Sequence, residues 1–156
     1  MLGDEGNVPF CSNCDKPWFD TFSTCIIALV VNEYDEAALL CQDYISTKYR
    51  NLVSGYMKPN ETAESAAERE IFEELGLRTE SLEFMGTHWF GKKDMLMIGF
   101  TARVRKAKFN LSDEVDDAIW EDIHKALENV HPEGSVSYAL IRQYIDKQKT
   151  VTFCNK

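Results

Sequence analysis

The chain has 156 residues, which is the length of one domain and enough to bury a core. Its hydrophobic content of 44% is typical of a globular protein, and no apolar run approaches the roughly 20 residues that span a membrane. The formal net charge of −9 argues against a protein that binds nucleic acid through its general surface field. We therefore expect one globular domain with no membrane partner and no general nucleic-acid binding.

The N-terminus carries Asp4 and Glu5 and has no basic region followed by an apolar stretch. We therefore expect no secretory signal and a cytoplasmic location. Five cysteines, an odd number, fit reduced thiols in a cytosol better than a disulfide framework.

Residues 1–21 are interpreted as an N-terminal tail, with little order over residues 1–10, and they include Cys11 and Cys14 in a C-x2-C pair. Such a pair is half of a zinc ribbon, whose tetrahedral site needs four ligands. The other cysteines are isolated in the sequence: Cys25, Cys41 and Cys154. The missing second pair favours a remnant without metal. Zn²⁺ completed by a distant residue or a neighbouring subunit, and a redox pair, are the alternatives.

Two apolar segments at residues 24–32 and 37–42 flank the turn-like sequence NEYDE. They are predicted to pair as an antiparallel hairpin. Residues 49–56, YRNLVSGY, are predicted to form a strand that delivers Gly55 to the loop before a helix.

That helix is predicted over residues 63–75, AESAAEREIFEEL. Thr62 suits the N-cap, and Gly76 stands where a left-handed C-terminal residue is wanted. The apolar side chains Ile71, Phe72 and Leu75 are expected to pack on a sheet.

The same helix carries Glu70, Glu73 and Glu74 at positions i, i+3 and i+4, so their carboxylates are expected to share one open face. Clustered carboxylates repel one another unless cations lie among them, and hard ions such as Mg²⁺ or Mn²⁺ prefer oxygen ligands. Arg69 can reach Glu73 at i+4 and hold it in place. The pattern predicts a divalent-metal site, with a solvated acidic face as the alternative.

Residues 82–90, LEFMGTHWF, are predicted to form a strand that runs into an aromatic turn, and residues 95–109 a long second strand. Trp89 and Phe90 lie at this turn beside two lysines. Aromatic rings next to lysines suit a stacked base and a phosphate, although such rings also close cores.

An acidic loop at residues 110–117 leads to a predicted strand near residues 118–120 and a short helix. A loop carboxylate that folds back over the acidic helix would complete the coordination of a metal. A last helix over residues 134–147 is predicted to cover one sheet face, and residues 150–156 to form a loose C-terminal tail or edge strand.

Nine positions of the chain fit the box of the Nudix hydrolase family, G-x5-E-x7-R-E-U-x-E-E-x-G-U with U aliphatic. They are Gly55, Glu61, Arg69, Glu70, Ile71, Glu73, Glu74, Gly76 and Leu77. The chain is therefore identified as a member of this family. The resemblance implies the Nudix fold for residues 22–149, an α/β (α+β) architecture with a mixed β-sheet sandwiched between helices. Many members have a glycine where this chain has Asn60, a residue that tolerates left-handed backbone.

Beyond the box, the chain resembles the NADH pyrophosphatase branch of the family from about Cys11 to Tyr144. The segment FCSNCDKPWFDTFSTCIIALVV is similar to that branch's second zinc cysteine pair and the strand after it. The branch also carries S-Q-P-W-P-F-P-x-S-L-M. The corresponding THWFGKKDMLM keeps the Trp-Phe pair and the Leu-Met end but lacks the three prolines and the second serine.

The resemblance implies a metal site and a mechanism. The positions that match the family's metal ligands are Glu70, Glu74, the loop residue Glu114 and the backbone carbonyl of Ser54. Glu73 completes the box carboxylates, and either Glu73 or Glu74 would orient or deprotonate the attacking water.

The resemblance also implies a set of substrate contacts. Tyr56 matches a stacking aromatic residue, Phe19 a tyrosine that contacts substrate, and Ser137 a contact in the last helix. Trp89 and Phe90 are added as candidates. Related enzymes are often homodimers, so a homodimer is expected.

The implied activity is metal-dependent hydrolysis of the pyrophosphate bond of a nucleoside diphosphate linked to another group. NADH or NAD is the favoured substrate, giving NMNH or NMN and AMP, and the missing prolines leave ADP-ribose or a nucleotide sugar as the alternative. A non-catalytic module that binds a nucleotide is disfavoured by the complete set of box carboxylates. A half ribbon that binds nucleic acid is disfavoured by the acidic composition.

Overall fold

The structure is a computed structural model that describes residues 8–19 and 21–154, with side chains through residue 150. Residues 1–7, most of the predicted tail at residues 1–10, lie outside this described part. None of the described helices carries an apolar stretch long enough to cross a bilayer.

Ahead of the main sheet, two short strands, β1 (Phe10–Cys11) and β2 (Lys16–Pro17), pair in an antiparallel fashion. Cys11 ends the first strand, Cys14 lies in the turn between them, and both are free thiols. Hydrogen bonds from the backbone of Cys14 and Asn13 lower the pKa of the Cys11 thiol. A remnant without metal stays the prediction for this pair, with Zn²⁺ as an alternative.

The remaining strands form one mixed sheet. They are β3 (Ser23–Val31), β4 (Glu36–Gln42), β5 (Ser46–Asn51), β6 (Val53–Tyr56), β7 (Thr79–Phe90), β8 (Met95–Val104) and β9 (Asp117–Asp122). Strand β3 lies between β6, its antiparallel neighbour, and β8, its parallel neighbour, and β7 follows β8 at the edge. Strand β4 lies between β5 and β9.

Three helices of the described chain cover the sheet: α1 (Ala63–Leu75), α2 (Ile123–Asn129) and α3 (Val136–Cys154). Alternate residues of β3 point to opposite faces, so Ile26 packs with α1, whereas Ile27 packs with α2 and α3. The prediction of a mixed sheet sandwiched between helices is confirmed.

The predicted hairpin of residues 24–32 and 37–42 is mostly wrong, because β3 and β4 pair only where Val31 meets Ala37. The two strands then diverge. Residues 26–31 are each at most 4% exposed, and a strand that is apolar on both faces belongs at the centre of a sheet. The centre of the sheet gives β3 two other partners, β6 and β8.

Three predicted boundaries also change. Residues 49–56 divide between two strands at Leu52, which is 1% exposed, and the strand predicted over residues 95–109 ends at Val104. Residues 150–154 continue α3 instead of forming a loose or edge-strand end. The β-branched residues there have modest helix propensity, and the helix they extend is anchored by the buried Leu140 and Ile141.

Candidate active site

Helix α1 begins and ends where the sequence predicts. The hydroxyl of Thr62 accepts a hydrogen bond from the N–H of Ser65 at 3.2 Å, and the hydroxyl of Ser65 accepts one from the N–H of Thr62 at 3.0 Å. This reciprocal pair satisfies amide groups that a helix leaves unpaired at its start. At the other end Gly76 is left-handed, with φ of 69°, and its N–H donates to the carbonyl of Phe72 at 2.9 Å.

The predicted packing face of the helix is confirmed for Ile71 and Leu75 and wrong for Phe72. Ala67, Ile71 and Leu75 form an i, i+4, i+8 stripe that is 0% exposed, while Phe72, expected in the core, is 54% exposed. One residue further along a helix is about 100° around it, and this rotation carries Phe72 away from the sheet. Ala66, next to this stripe, is 0% exposed as well.

The three carboxylates of the helix differ in how deeply they are buried. Glu74 lies next to the stripe and is 3% exposed, whereas the side chain of Glu73 is 48% exposed. Glu70 lies between these extremes, with 14% of its side chain exposed. The acidic face is therefore only partly exposed, and Glu74 is its buried member.

Arg69 binds three carboxylates at once. Its Nη1 donates to Oε1 of Glu70 at 2.6 Å and to Oε2 of Glu73 at 3.0 Å, and its Nε and Nη2 donate to the two oxygens of Glu61. Nη2 also donates to the backbone carbonyl of Tyr56 at 3.1 Å. The predicted i, i+4 pair with Glu73 is present, but it is one branch of a larger clamp that joins α1 to its preceding loop.

That loop is shaped by residues of the same clamp. Asn60 is left-handed, with φ of 68°, as its tolerance for that conformation allows. Glu61 accepts a hydrogen bond from the N–H of Lys58 at 2.8 Å. The guanidinium of Arg69, together with this N–H, lowers the pKa of Glu61 to about 2. Glu61 is therefore a permanent anion that fixes Arg69.

Glu70 lies directly against the backbone of β6. Strand β6 pairs with β3 so that Gly55 is opposite Ile26. A Cβ atom on Gly55 would overlap the carboxylate of Glu70, so only glycine leaves room for that carboxylate. The packing brings Glu70 beside the chain segment that contains Ser54, whose carbonyl is the predicted backbone ligand.

Replacing Gly55 by alanine should therefore displace the carboxylate of Glu70. We expect Gly55→Ala to lower turnover by about 10²-fold, because displacing a positioned group by about 1 Å has an effect of that size. The measurement is steady-state hydrolysis with a thermal melt of each variant. Gly91→Ala is the matched control, since the nearest atom to its added Cβ would be Nε1 of Trp89 at 3.6 Å, an ordinary contact. Equal activity of the two alanine variants would contradict the prediction.

Glu74 is the most perturbed carboxyl group of the site. Its Oε1 accepts a hydrogen bond from Nε2 of Gln42 at 3.2 Å, whereas its buried Oε2 has no partner. Burial, followed by the negative charge of Glu70, raises the pKa of Glu74 to about 8, and the charges of Glu114 and Glu73 act in the same direction. Glu114 is an exposed residue of the loop after β8.

The raised pKa of Glu74 predicts how the metal-free protein responds to pH. The unfolded chain loses this proton near pH 4.5 and the folded chain near pH 8, so the folded state binds more protons between these values. Glu74 should therefore make stability fall as pH rises from about 4.5 to 8. Thermal melts in chelator should show Glu74→Gln gaining Tm relative to wild type across this window. A difference in Tm that does not change with pH would contradict the assignment.

The residues around Glu74 fit a hard divalent cation. In the described part of the chain no three His, Cys, Asp or Glu side chains converge as a metal cluster, and Glu70 is hydrogen-bonded to Arg69. Oε2 of Glu74, however, is a buried carboxyl oxygen without a hydrogen-bond partner, and Gly55 leaves space for a second carboxylate. Mg²⁺ and Mn²⁺ take oxygen ligands of this type.

Comparison with known families agrees with this arrangement. The family model described as the NUDIX domain matches residues 22–143. The chain belongs to the Nudix family. The matched residues include the whole Nudix hydrolase box, from Gly55 to Leu77.

Curated relatives of this Nudix chain include two bacterial proteins named NAD-capped RNA hydrolase NudC. The one from Pseudomonas fluorescens (strain Pf0-1) is 26% identical over 140 residues, which are 89% of this chain and 50% of the relative. The one from Actinobacillus succinogenes is 31% identical over 90 residues, which are 57% of this chain and 34% of the relative. The chain thus spans half or less of the length of these relatives.

Solved structures support the same fold. The NUDIX domain of Shewanella oneidensis NrtR complexed with ADP ribose superposes with a TM-score of 0.70 at 15% identity, over 83% of this chain and 90% of that one. A NUDIX hydrolase from Nitrosomonas europaea also gives 0.70, at 16% identity, over 90% of this chain and 80% of that one. The fold class predicted from the sequence is confirmed.

The predicted substrate contacts of this Nudix domain are dispersed. The rings of Phe19, Tyr56 and Trp89 are each more than half exposed, and Trp89 makes an edge contact with Phe22 at 5.6 Å between ring centroids. Trp89 and Phe90 are neighbours in the extended strand β7, so their side chains point to opposite faces. The two rings therefore cannot stack on the same base.

Ser137 lies at the start of α3, and the sheet separates that helix from α1. The structure therefore does not bring Ser137 together with the box carboxylates. A groove of about 910 Å³ runs between β7 and α3, with His88, Trp89, Tyr138 and Arg142 in its lining. Its lining includes none of the box carboxylates.

Sequence reasoning missed two residues of the site, Gln42 and Tyr44. Gln42 ends β4 and is 1% exposed, and its amide contacts both Glu74 and the hydroxyl of Tyr44. The available signal was a glutamine at the end of the apolar run AALLC. Its partner could not be read from the sequence, because Glu74 is 32 residues away.

Proposed function

We propose that this Nudix domain hydrolyses the pyrophosphate bond of a nucleoside diphosphate linked to another group, with Mg²⁺ or Mn²⁺ as its cofactor. The observation that carries the proposal is the buried, unpartnered oxygen of Glu74 among the other box carboxylates. A non-catalytic module would not need a buried carboxyl group that is held there without a partner.

Each residue of the site has a distinct role in this proposal. Glu70 and Glu74, with the carbonyl of Ser54 and with Glu114, would hold the cation. When bound, the cation supplies charge neutralisation at the pyrophosphate oxygens and activation of a water. Arg69 keeps Glu70 and Glu73 in place through its hydrogen bonds.

Two carboxylates are candidates for the general base. Glu73 is exposed and held at a fixed angle by Arg69, so it is suited to orient a water. Glu74, the next residue of α1, is the alternative base. Either group would contribute a factor of about 10² to 10⁴ in rate.

NADH or NAD is the proposed substrate, giving NMNH or NMN and AMP. Support comes from the names of the curated relatives and from the Trp-Phe pair that this chain keeps in THWFGKKDMLM. ADP-ribose or a nucleotide sugar is the second candidate, because the prolines of that segment are absent. A cytoplasmic location, a homodimer and substrate contacts at Phe19, Tyr56, Trp89, Phe90 and Ser137 stay predictions.

A substrate panel tests the proposal. NADH, NAD, ADP-ribose, FAD, nucleotide sugars and an NAD-capped RNA oligonucleotide are incubated with and without Mg²⁺ or Mn²⁺, and the products are identified. We expect cation-dependent release of AMP from NADH and NAD at the highest kcat/KM. Failure of the folded protein to split any member of the panel would overturn the function, and preference for ADP-ribose would overturn the substrate alone.

A further inference from the structure

The side chain of Gln42 bridges the candidate active site and the β4–β5 turn. Its Nε2 lies 3.2 Å from Oε1 of Glu74 and 3.3 Å from the hydroxyl oxygen of Tyr44. An amide nitrogen carries two hydrogens, and these two acceptors occupy both. The amide is thus held on its nitrogen side by two groups from different segments of the chain.

The hydrogen bonds define which way the amide faces. With the opposite orientation, the carbonyl oxygen of Gln42 would face Glu74, and the two acceptors would repel each other once the carboxylate is ionised to bind a cation. In the observed orientation Oε1 of Glu74 is engaged by a donor and Oε2 remains without one. Gln42 therefore decides which oxygen of Glu74 is available to a ligand.

Stability alone does not account for this glutamine. Gln42 is 1% exposed, and its own carbonyl oxygen, Oε1, is buried without a partner. A buried acceptor without a hydrogen bond destabilises the folded state, whereas an apolar side chain of similar size would not. The preceding residues of β4, such as Leu39 and Leu40, are apolar and fully buried, so the strand accommodates such side chains.

We propose that Gln42 is a positioning residue that orients the carboxylate of Glu74, so that Oε2 is presented to the divalent cation of the reaction. The inference rests on the proposed function, in which Glu74 is a metal ligand. Groups that hydrogen-bond to a metal-binding carboxylate fix its orientation, and their loss lowers metal affinity or activity by about 10- to 100-fold.

The test is Gln42→Met, which keeps the length of the side chain and removes the hydrogen-bond donor. In the absence of nucleotide, the affinity of the protein for Mn²⁺, measured by electron paramagnetic resonance, should fall by about 10- to 100-fold. The Tm of the metal-free variant should stay close to that of wild type, because the unpartnered carbonyl of Gln42 is removed while Oε1 of Glu74 loses its donor. Gln42→Leu provides the same test if the methionine variant does not fold.

Thr101→Val is the matched control. Thr101 is 3% exposed, its Oγ1 also lacks a partner, and it lies in β8 beside Leu29, which packs against α3 on the far side of the sheet. Removing this buried polar atom should leave Mn²⁺ affinity within about twofold of wild type, because it lies on the opposite face of the sheet from α1. A merely structural role of Gln42 predicts equal Mn²⁺ affinities for the two variants.

A double-mutant cycle separates failure of this inference from failure of the proposed function. Glu74→Gln should abolish most Mn²⁺ affinity, and adding Gln42→Met should then change it little, since both act on the same carboxylate. Affinity of Gln42→Met within threefold of wild type, or equal losses in both backgrounds, would overturn the role of Gln42. Unchanged affinity and activity in Glu74→Gln would overturn the proposed function instead.

Discussion

Replacing Glu74 by glutamine is expected to lower turnover by about 10² to 10⁴-fold while the fold stays intact. Glutamine has nearly the same shape and keeps an oxygen, but it cannot carry the negative charge that a divalent cation requires. The fold should tolerate the change, because Glu74 is buried with an unpartnered oxygen and a pKa near 8. Steady-state hydrolysis at saturating Mg²⁺ or Mn²⁺, together with circular dichroism, provides the measurement.

Glu68→Gln is the control for this prediction. Glu68 lies on the same helix, and its replacement by glutamine is the same chemical change, but its side chain is exposed. We expect its activity to remain within about twofold of wild type, as for most surface substitutions. Less than a tenfold loss for Glu74→Gln would remove Glu74 from the reaction.

Replacing Arg69 by alanine is expected to affect both activity and stability. Its guanidinium is the common donor to Glu61, Glu70 and Glu73, and only 18% of its side chain is exposed. Without Arg69 these carboxylates repel one another and lose their fixed positions. We expect a loss of about 10²-fold in turnover, as for misplaced catalytic groups, and a Tm lower by about 5 °C or more.

Arg69→Lys should recover little of the lost activity. Arginine donates from three nitrogens in a planar fork, whereas the lysine ammonium is a single point that cannot bind both oxygens of Glu61 and also reach Glu70. Arg105→Ala is the control, because Arg105 pairs with Glu80 in an exposed position, where ion pairs contribute little. Wild-type activity in Arg69→Lys would show that charge alone, without the fork, is sufficient.

The candidate site could be predicted from the sequence where one local segment supplies it. Thr62 and Gly76 act through hydrogen bonds within a few residues, so the limits of α1 follow from sequence order. The i, i+4 spacing likewise places Arg69 next to Glu73 in any helix. These interactions do not depend on how the rest of the chain folds.

Predictions about which side of an element is covered were less successful. The apolar character of Phe72 predicts a core position, but a helix packs through one stripe, and Ala67, Ile71 and Leu75 occupy it. The pairing of β3 failed for a similar reason. A strand that is apolar on both faces has several available neighbours, and only the assembled sheet selects β6 and β8 over β4.

The sequence by itself determined that this is a Nudix chain with a capped helix carrying a complete set of box carboxylates, because motif and caps depend on short spacings. Only the tertiary structure decided which carboxylate is buried and what faces it. Gln42 meets Glu74, and Gly55 meets Glu70, across contacts that join α1 to separate strands of the sheet. Such contacts arise from packing, which a linear order of residues does not specify.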